Sequence, residues 1–215
     1  MKKLTASKIY FGKTARNYDK IRVRSQVTHE DDLAIRKFIN RIESKSILVD
    51  LPCGTGRVLP LLADQEIIYI GADVSDDMIR ISKEKALKNP NASFLVCDAR
   101  EIPLHEKFSD YLISVKFIKW LPNDEIVEQV LREFRRVCKK KAFINVKVQP
   151  KHVKKDFNEV KDRIKNIYDL LRYRTNARAM DERTFEYLCM KSGWKIVEKS
   201  PNSMSNGFVI NYILE

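Results

Sequence analysis

The sequence predicts an α/β fold: a doubly wound, seven-stranded sheet, mostly parallel, with the last strand antiparallel to its neighbours. Three observations predict it. Short apolar runs alternate with helical patterns from residue 46 onward, as in successive βαβ units. Those runs are rich in Val, Ile, Leu and Phe and show little polar alternation, as parallel strands covered on both faces should. The last two runs are joined by a turn alone, so they should pair as an antiparallel hairpin.

The elements follow in order. Residues 28–43 read as a polar helix with Leu33, Phe38 and Ile42 turned inward. A strand at 46–51 ends in a glycine-containing turn, and a short helix, VLPLLADQ, follows it. Then come a strand at 67–73, a helix at 76–88, strands at 93–98 and 110–115, a helix at 123–139 and a strand at 141–148. Asp181 is placed to cap a helix at 182–192 that stops near Gly193. Strands at 194–200 and 208–214 close the pattern, with PNSMSNG as their turn. Between the fifth strand and the capped helix lies an insertion. Its apolar positions are Val153, Phe157, Val160, Ile164, Ile167 and Leu171, spaced as one stripe of an amphipathic helix.

The 215 residues suit one domain with a substantial core. We divide it into an N-terminal helical cap (1–45), the sheet, and a helical insertion (149–181) overhanging the acceptor site. No apolar run is long enough to span a bilayer, and the first residues lack the apolar stretch of a signal peptide, so a cytoplasmic protein is expected. Cys53, Cys97, Cys138 and Cys189 have no paired spacing, so neither a metal site nor a disulfide framework is expected. The formal net charge is +12 and is unevenly placed. Residues 1–24 carry eight Lys/Arg against one acid, and residues 149–178 carry nine against four. Such blocks suit an anionic partner.

The chemistry-bearing motif is Asp50-Leu51-Pro52-Cys53-Gly54-Thr55-Gly56-Arg57, at the end of the first strand. Gly54 and Gly56 allow a sharp turn and a close backbone approach to a ligand at the carboxyl ends of the strands. Leu59 stands where a dinucleotide loop would need a third glycine, and no P-loop lysine follows. Asp73 ends the second strand and can accept from both hydroxyls of a ribose. Asp98 ends the third and can accept from an exocyclic amine. Asp50 favours a cationic group. Three carboxylates at consecutive strand ends suit a ligand that is a nucleoside at one end and positive at the other, and would repel a pyrophosphate.

These segments resemble the class I S-adenosylmethionine-dependent methyltransferases, whose fold is Rossmann-like. ILVDLPCGTG, IYIGADVSDDMI and FLVCDAREIPL resemble the family's first three motifs, and FSDYLISVKFIKWLP resembles the segment around its fourth strand. FGKTARNYDKIR resembles the N-terminal segment that closes over the cofactor in many small-molecule members. The resemblance implies a strand order of 3-2-1-4-5-7-6 and S-adenosyl-L-methionine as cofactor. It also implies site roles. The loop Pro52–Gly56 passes the methionine part. Asp73, with Val74 beside it, holds the ribose. Asp98 and Ala99 read the adenine, Ser114 or Val115 lines the methionine end, and Tyr10 and Tyr18 cover the sulfonium. Pro52 replaces the family's usual first glycine and has no N–H to donate. Lys119-Trp120 stands where many relatives carry a His pair.

The acceptor is less specified. Methyl transfer from a sulfonium is an in-line displacement that needs alignment, and a base only when the nucleophile arrives protonated. Candidate catalytic groups are Lys116, Lys119, His105, His152, Tyr168 and Tyr173, although a lysine with an ordinary pKa of about 10.4 is a poor base at neutral pH. Arg172, Arg174 and Arg178, interleaved with Tyr173, are placed to clamp phosphate or carboxylate. The expected acceptor is therefore a small anionic metabolite, sugar or lipid headgroup, methylated on O or N. The alternative is an RNA, DNA or protein methyltransferase, and a second alternative is a non-catalytic S-adenosylmethionine-binding module. Monomer and homodimer are both left open.

Overall fold

The computed structural model describes Gly12, Ala15 and residues 26–149, 180–202 and 209–215. The first helix, α1 (Gln26–Ile39), packs Ile35, Phe38 and Ile39 inward, with Ile42 just beyond its end. Leu33, expected on that face, is 47% exposed, and the inward stripe instead starts at the fully buried Asp31. The reason is the helical period: positions 31, 35, 38, 39 and 42 share one face, and 33 lies opposite.

Four parallel strands follow: β1 (Ile47–Asp50), β2 (Ile68–Asp73), β3 (Ala92–Val96) and β4 (Ser109–Val115). A 3₁₀ turn at Leu59–Leu62 and helix α2 (Asp76–Lys85) separate the early ones. Ser75 caps α2 by accepting from the Met78 N–H at 3.4 Å. Helix α3 (Asp124–Val137) is capped by Asn123 and buries Val127, Val130, Leu131, Phe134 and Val137. Next, β5 (Cys138–Gln149) begins three residues earlier than the sequence suggested. The run Lys139–Lys141 hides that start, although its flanks, Cys138 and Ala142, are fully buried.

The C-terminal part comprises β6 (Met180–Asp181), α4 (Glu182–Lys191), β7 (Ile196–Pro201) and β8 (Val209–Leu214). Asp181 caps α4 as expected, accepting from the Thr184 N–H at 3.0 Å. The strand order is β3-β2-β1-β4-β5-β8-β7, with β8 antiparallel to both neighbours. This is the expected order once the two-residue β6, which pairs with Val148 and Gln149 of β5, is set aside. The expected seven strands thus become eight, because two residues are too few to show a period.

Two apolar cores cover the sheet. One holds α3, α4 and Trp194; the other holds α1, the 3₁₀ turn at 59–62, Tyr69, Tyr111 and Phe143. The carboxyl ends of β1, β2, β4 and β5 lie along one edge, and the residues that follow them form the site. The insertion stripe at 153–171 lies outside the described residues.

Candidate active site at the carboxyl edge of the sheet

The loop after β1 owes its shape to two glycines and to Asp73. Gly54 and Gly56 have φ of 54° and 78°, the left-handed region. A Cβ on Gly56 would sit 2.6 Å from both Leu59 Cδ1 and Ser82 Oγ, so a side chain there would displace both and add to the strain of the positive φ. A Cβ on Gly54 would meet nothing within 4 Å, so the backbone there faces open space. From the end of β2, Asp73 reaches back. The Gly54 N–H donates to its Oδ2 at 3.0 Å and the Ser75 N–H to its Oδ1 at 2.9 Å. Burial raises the Asp73 carboxyl above its ordinary value, opposed by these backbone donors.

Asp50 is buried at the end of β1, where the Tyr69 hydroxyl donates to its Oδ2 at 2.8 Å. Burial pushes it up to about 7; the Tyr69 hydrogen bond works against the rise, and the nearby Asp73 adds to it. A buried carboxyl poised this way is ionised by an incoming positive charge. Cys53, between the two acids in the chain, stays a thiol: burial and both carboxylates push it well above its ordinary value.

Asp98, just past β3, is not free. Arg100 donates to it through Nη2 at 2.6 Å, through Nε at 3.0 Å and through its backbone N–H at 2.9 Å. Burial acts to raise the Asp98 carboxyl, but the Arg100 hydrogen bonds and charge outweigh it and hold it below the usual range. Arg100 was missed from the sequence, although Asp98-Ala99-Arg100 puts a guanidinium within reach. Ala99 is buried beside it, and Val74 is half-buried after Asp73.

At the end of β4, Ser114 is fully buried, and its Oγ has no hydrogen-bond partner among the described residues. Val115 is half-buried. Lys116 then turns with φ 56° and places Nζ 2.8 Å from Asp31 Oδ2. Asp31 also accepts from Asn145 Nδ2 at 3.0 Å and Asn202 Nδ2 at 2.9 Å, and Arg57 Nη2 lies 3.6 Å from it. One buried carboxylate of α1 thus gathers the glycine loop, the β4 exit, β5 and the end of β7. No sequence signal linked these residues.

Lys119, in the 3₁₀ turn Ile118–Trp120, lies 4.9 Å from the Trp120 ring centroid. It is not the ordinary lysine expected from sequence. Burial, with Lys116 and Lys147 nearby, lowers it to about 8 against the opposing pull of Asp31. His105 precedes β4 at the opposite edge of the sheet, exposed. Tyr10, Tyr18, His152, Tyr168, Arg172, Tyr173, Arg174 and Arg178 lie outside the described residues. Gly12, close to Tyr10 in the chain, donates its N–H to Asp77 Oδ2 at 2.7 Å, in the first turn of α2 just past Asp73.

Open space at Gly54, the unpartnered Ser114 Oγ and carboxyls at the ends of β1 and β2 fit a ligand with hydroxyl donors and a positive centre. Among the described residues, no group of His, Cys, Asp and Glu could hold a metal ion, and no helix is long and apolar enough to cross a membrane.

A family model described as a methyltransferase domain matches residues 48–141, the stretch from β1 into β5. The chain is 29% identical over 114 residues to the Arabidopsis thaliana tRNA (carboxymethyluridine(34)-5-O)-methyltransferase, covering 53% of this chain and 26% of that protein. It is 28% identical over 116 residues to the Saccharomyces cerevisiae protein of the same name, covering 52% and 40%. The chain therefore spans well under half the length of these relatives. Among solved structures, magnesium protoporphyrin IX methyltransferase from Synechocystis, with the demethylated cofactor bound, superposes with a TM-score of 0.74 at 12% identity, covering 97% of both chains. A SAM-dependent methyltransferase from Methanosarcina mazei gives 0.65 at 17% identity, covering 83% of this chain and 95% of that one. Strand order, glycine loop and matched residues converge: the fold is the Rossmann-like one of the S-adenosylmethionine-dependent methyltransferases, and residues 48–141 match a methyltransferase domain.

Proposed function

We propose that this methyltransferase acts on RNA, with tRNA as the substrate class, rather than on the small anionic acceptor that composition first suggested. The observation that carries the reading is the similarity, across the cofactor-binding half, to enzymes whose names specify a tRNA nucleobase. The net charge of +12, concentrated in 1–24 and 149–178, supports it, because a polyanion is held by many phosphate contacts. In this reading the domain keeps its basic N-terminal cap and its 149–181 insertion as the RNA-facing parts, with Arg172, Arg174 and Arg178 on phosphates.

Bound S-adenosylmethionine supplies an electrophilic methyl on a positive sulfur. The chain's own residues do the rest. Asp73 orders Gly54 and receives the ribose hydroxyls, and Asp98, aligned by Arg100, borders the base. Asp50 ionises to balance the positive end, and Ser114 Oγ offers a hydrogen bond beside it. None of these groups transfers a proton in the displacement; positioning supplies most of the acceleration.

The test is methyl transfer from labelled S-adenosylmethionine in a cell extract, fractionated into RNA, protein and small molecules. Label in the tRNA fraction, abolished by nuclease treatment before the reaction, is expected. Label confined to small molecules would return the assignment to an anionic metabolite, and label in none of them would favour a binding module.

A further inference from the structure

Three lysines, Lys116, Lys119 and Lys147, lie where β4 and β5 leave the sheet, near enough for Lys116 and Lys147 to act on the charge of Lys119. Lys116 follows β4 directly, Lys119 is in the next turn, and Lys147 lies two residues past Asn145, which pairs with Val115. Among the described residues, one carboxylate faces them. That is Asp31, and its oxygens are already engaged by Asn145, Asn202, Lys116 and Arg57. Among the described residues, neither Lys119 nor Lys147 has a carboxylate within ion-pair distance. Lys119 is half-buried, and its Nζ lies 4.9 Å from the Trp120 ring centroid, whose face carries negative potential. A partly desolvated ammonium without a counter-ion is unfavourable, and an arriving anion relieves it.

Building on the RNA reading, we propose that Lys119, flanked by Lys116 and Lys147, is the acceptor subsite of this enzyme and holds a carboxylate carried by the target nucleobase. The reaction then balances without acid or base. A carboxylate oxygen forms a bond to the donor methyl carbon as the methyl–sulfur bond breaks, and the bonding pair stays on sulfur. A carboxylate and a sulfonium become a neutral ester and a neutral thioether, and no proton moves. The Lys–carboxylate attraction is strongest before transfer and vanishes after it. It therefore serves binding and not the transition state, so its loss should raise KM more than it lowers kcat. The ester product, uncharged, is released more readily than the substrate.

The test uses two anticodon stem–loop RNAs that differ only at position 34, one carrying 5-carboxymethyluridine and the other its methyl ester. Binding is followed by fluorescence anisotropy with the demethylated cofactor present, so turnover plays no part. The wild-type protein should prefer the carboxylate RNA about tenfold, as a charge-assisted contact implies. Lys119→Met should lose the preference, and Lys119→Arg should keep it. Because Lys119 titrates near 8 among Lys116, Lys147 and Asp31, the preference should decline as pH rises past that value. A base at this position would give the opposite trend, with turnover rising through the same range. Equal binding of both RNAs by the wild type would overturn the subsite and leave the RNA reading intact. Binding of neither RNA would overturn the RNA reading itself. Equal weakening of both RNAs by Lys119→Met, in a wild type without preference, would assign the lysines to phosphate.

Discussion

The Tyr69 hydroxyl donates a 2.8 Å hydrogen bond to Asp50, and both side chains are out of solvent, with Tyr69 on β2 and Asp50 at the tip of β1. The carboxyl it contacts titrates near 7 instead of the ordinary 3.8. Between those values the folded state holds a proton that the unfolded state has lost. The cofactor-free protein should therefore be most stable below about pH 4 as far as this group is concerned, and lose up to about 4 kcal/mol by pH 7. Urea unfolding across that range should show the decline, and Asp50→Asn should flatten it. Cofactor affinity should run the other way, rising through neutrality as the carboxyl ionises to meet the sulfonium. An affinity independent of pH in calorimetry would remove Asp50 from the site.

The two loop glycines should fail differently. Gly56→Ala adds a Cβ at 2.6 Å from two side chains and strains a φ of 78°, so about 2–4 kcal/mol of stability should be lost. Gly54→Ala adds its Cβ to open space, at a backbone cost of about 1 kcal/mol. That variant should fold, yet bind S-adenosylmethionine far more weakly, because the new methyl occupies ligand space. Thermal unfolding and calorimetry on both proteins check the contrast.

Asp73→Ala removes the acceptor of two backbone N–H groups as well as the partner of the ribose. It should cost about 1–3 kcal/mol of stability and at least tenfold in cofactor affinity. Unchanged affinity in a folded variant would refute its role.

Asp31→Asn should destabilise the protein by about 3 kcal/mol, the lower end for breaking a buried ion pair, since Lys116 retains some access to water. Urea midpoints measure it. Combining it with Lys116→Met should recover part of the loss, because Lys116 then leaves no ammonium stripped of its partner.

How much of this was legible in the sequence depends on range. The strand ends and the glycine loop could be read because a strand, its turn and its acid are contiguous. Asp73 was legible as the acid that ends β2, but its grip on Gly54 was not, since the two are separated by nineteen positions in the chain. Asp31 escaped notice for a different reason. A carboxylate on an amphipathic helix reads as part of the wet face, and only the assembled fold brings Asn145 and Asn202 to it. Leu33 was misplaced by the same assumption in reverse. The lowered Lys119 likewise needs its neighbours on β4 and β5 to be in place.

The position of β8 between β5 and β7 has a consequence for how the chain is made. During synthesis β7 emerges before β8, yet β8 is the strand it pairs with in the sheet. Until residues 209–214 are available, β5 keeps an open edge and α4 is tethered to a strand with nothing to pair against. Before then, the sheet from β3 to β5 ends in an exposed border. The lysines along the start of β5, at 139–141, are well suited to keep that border from pairing with another chain.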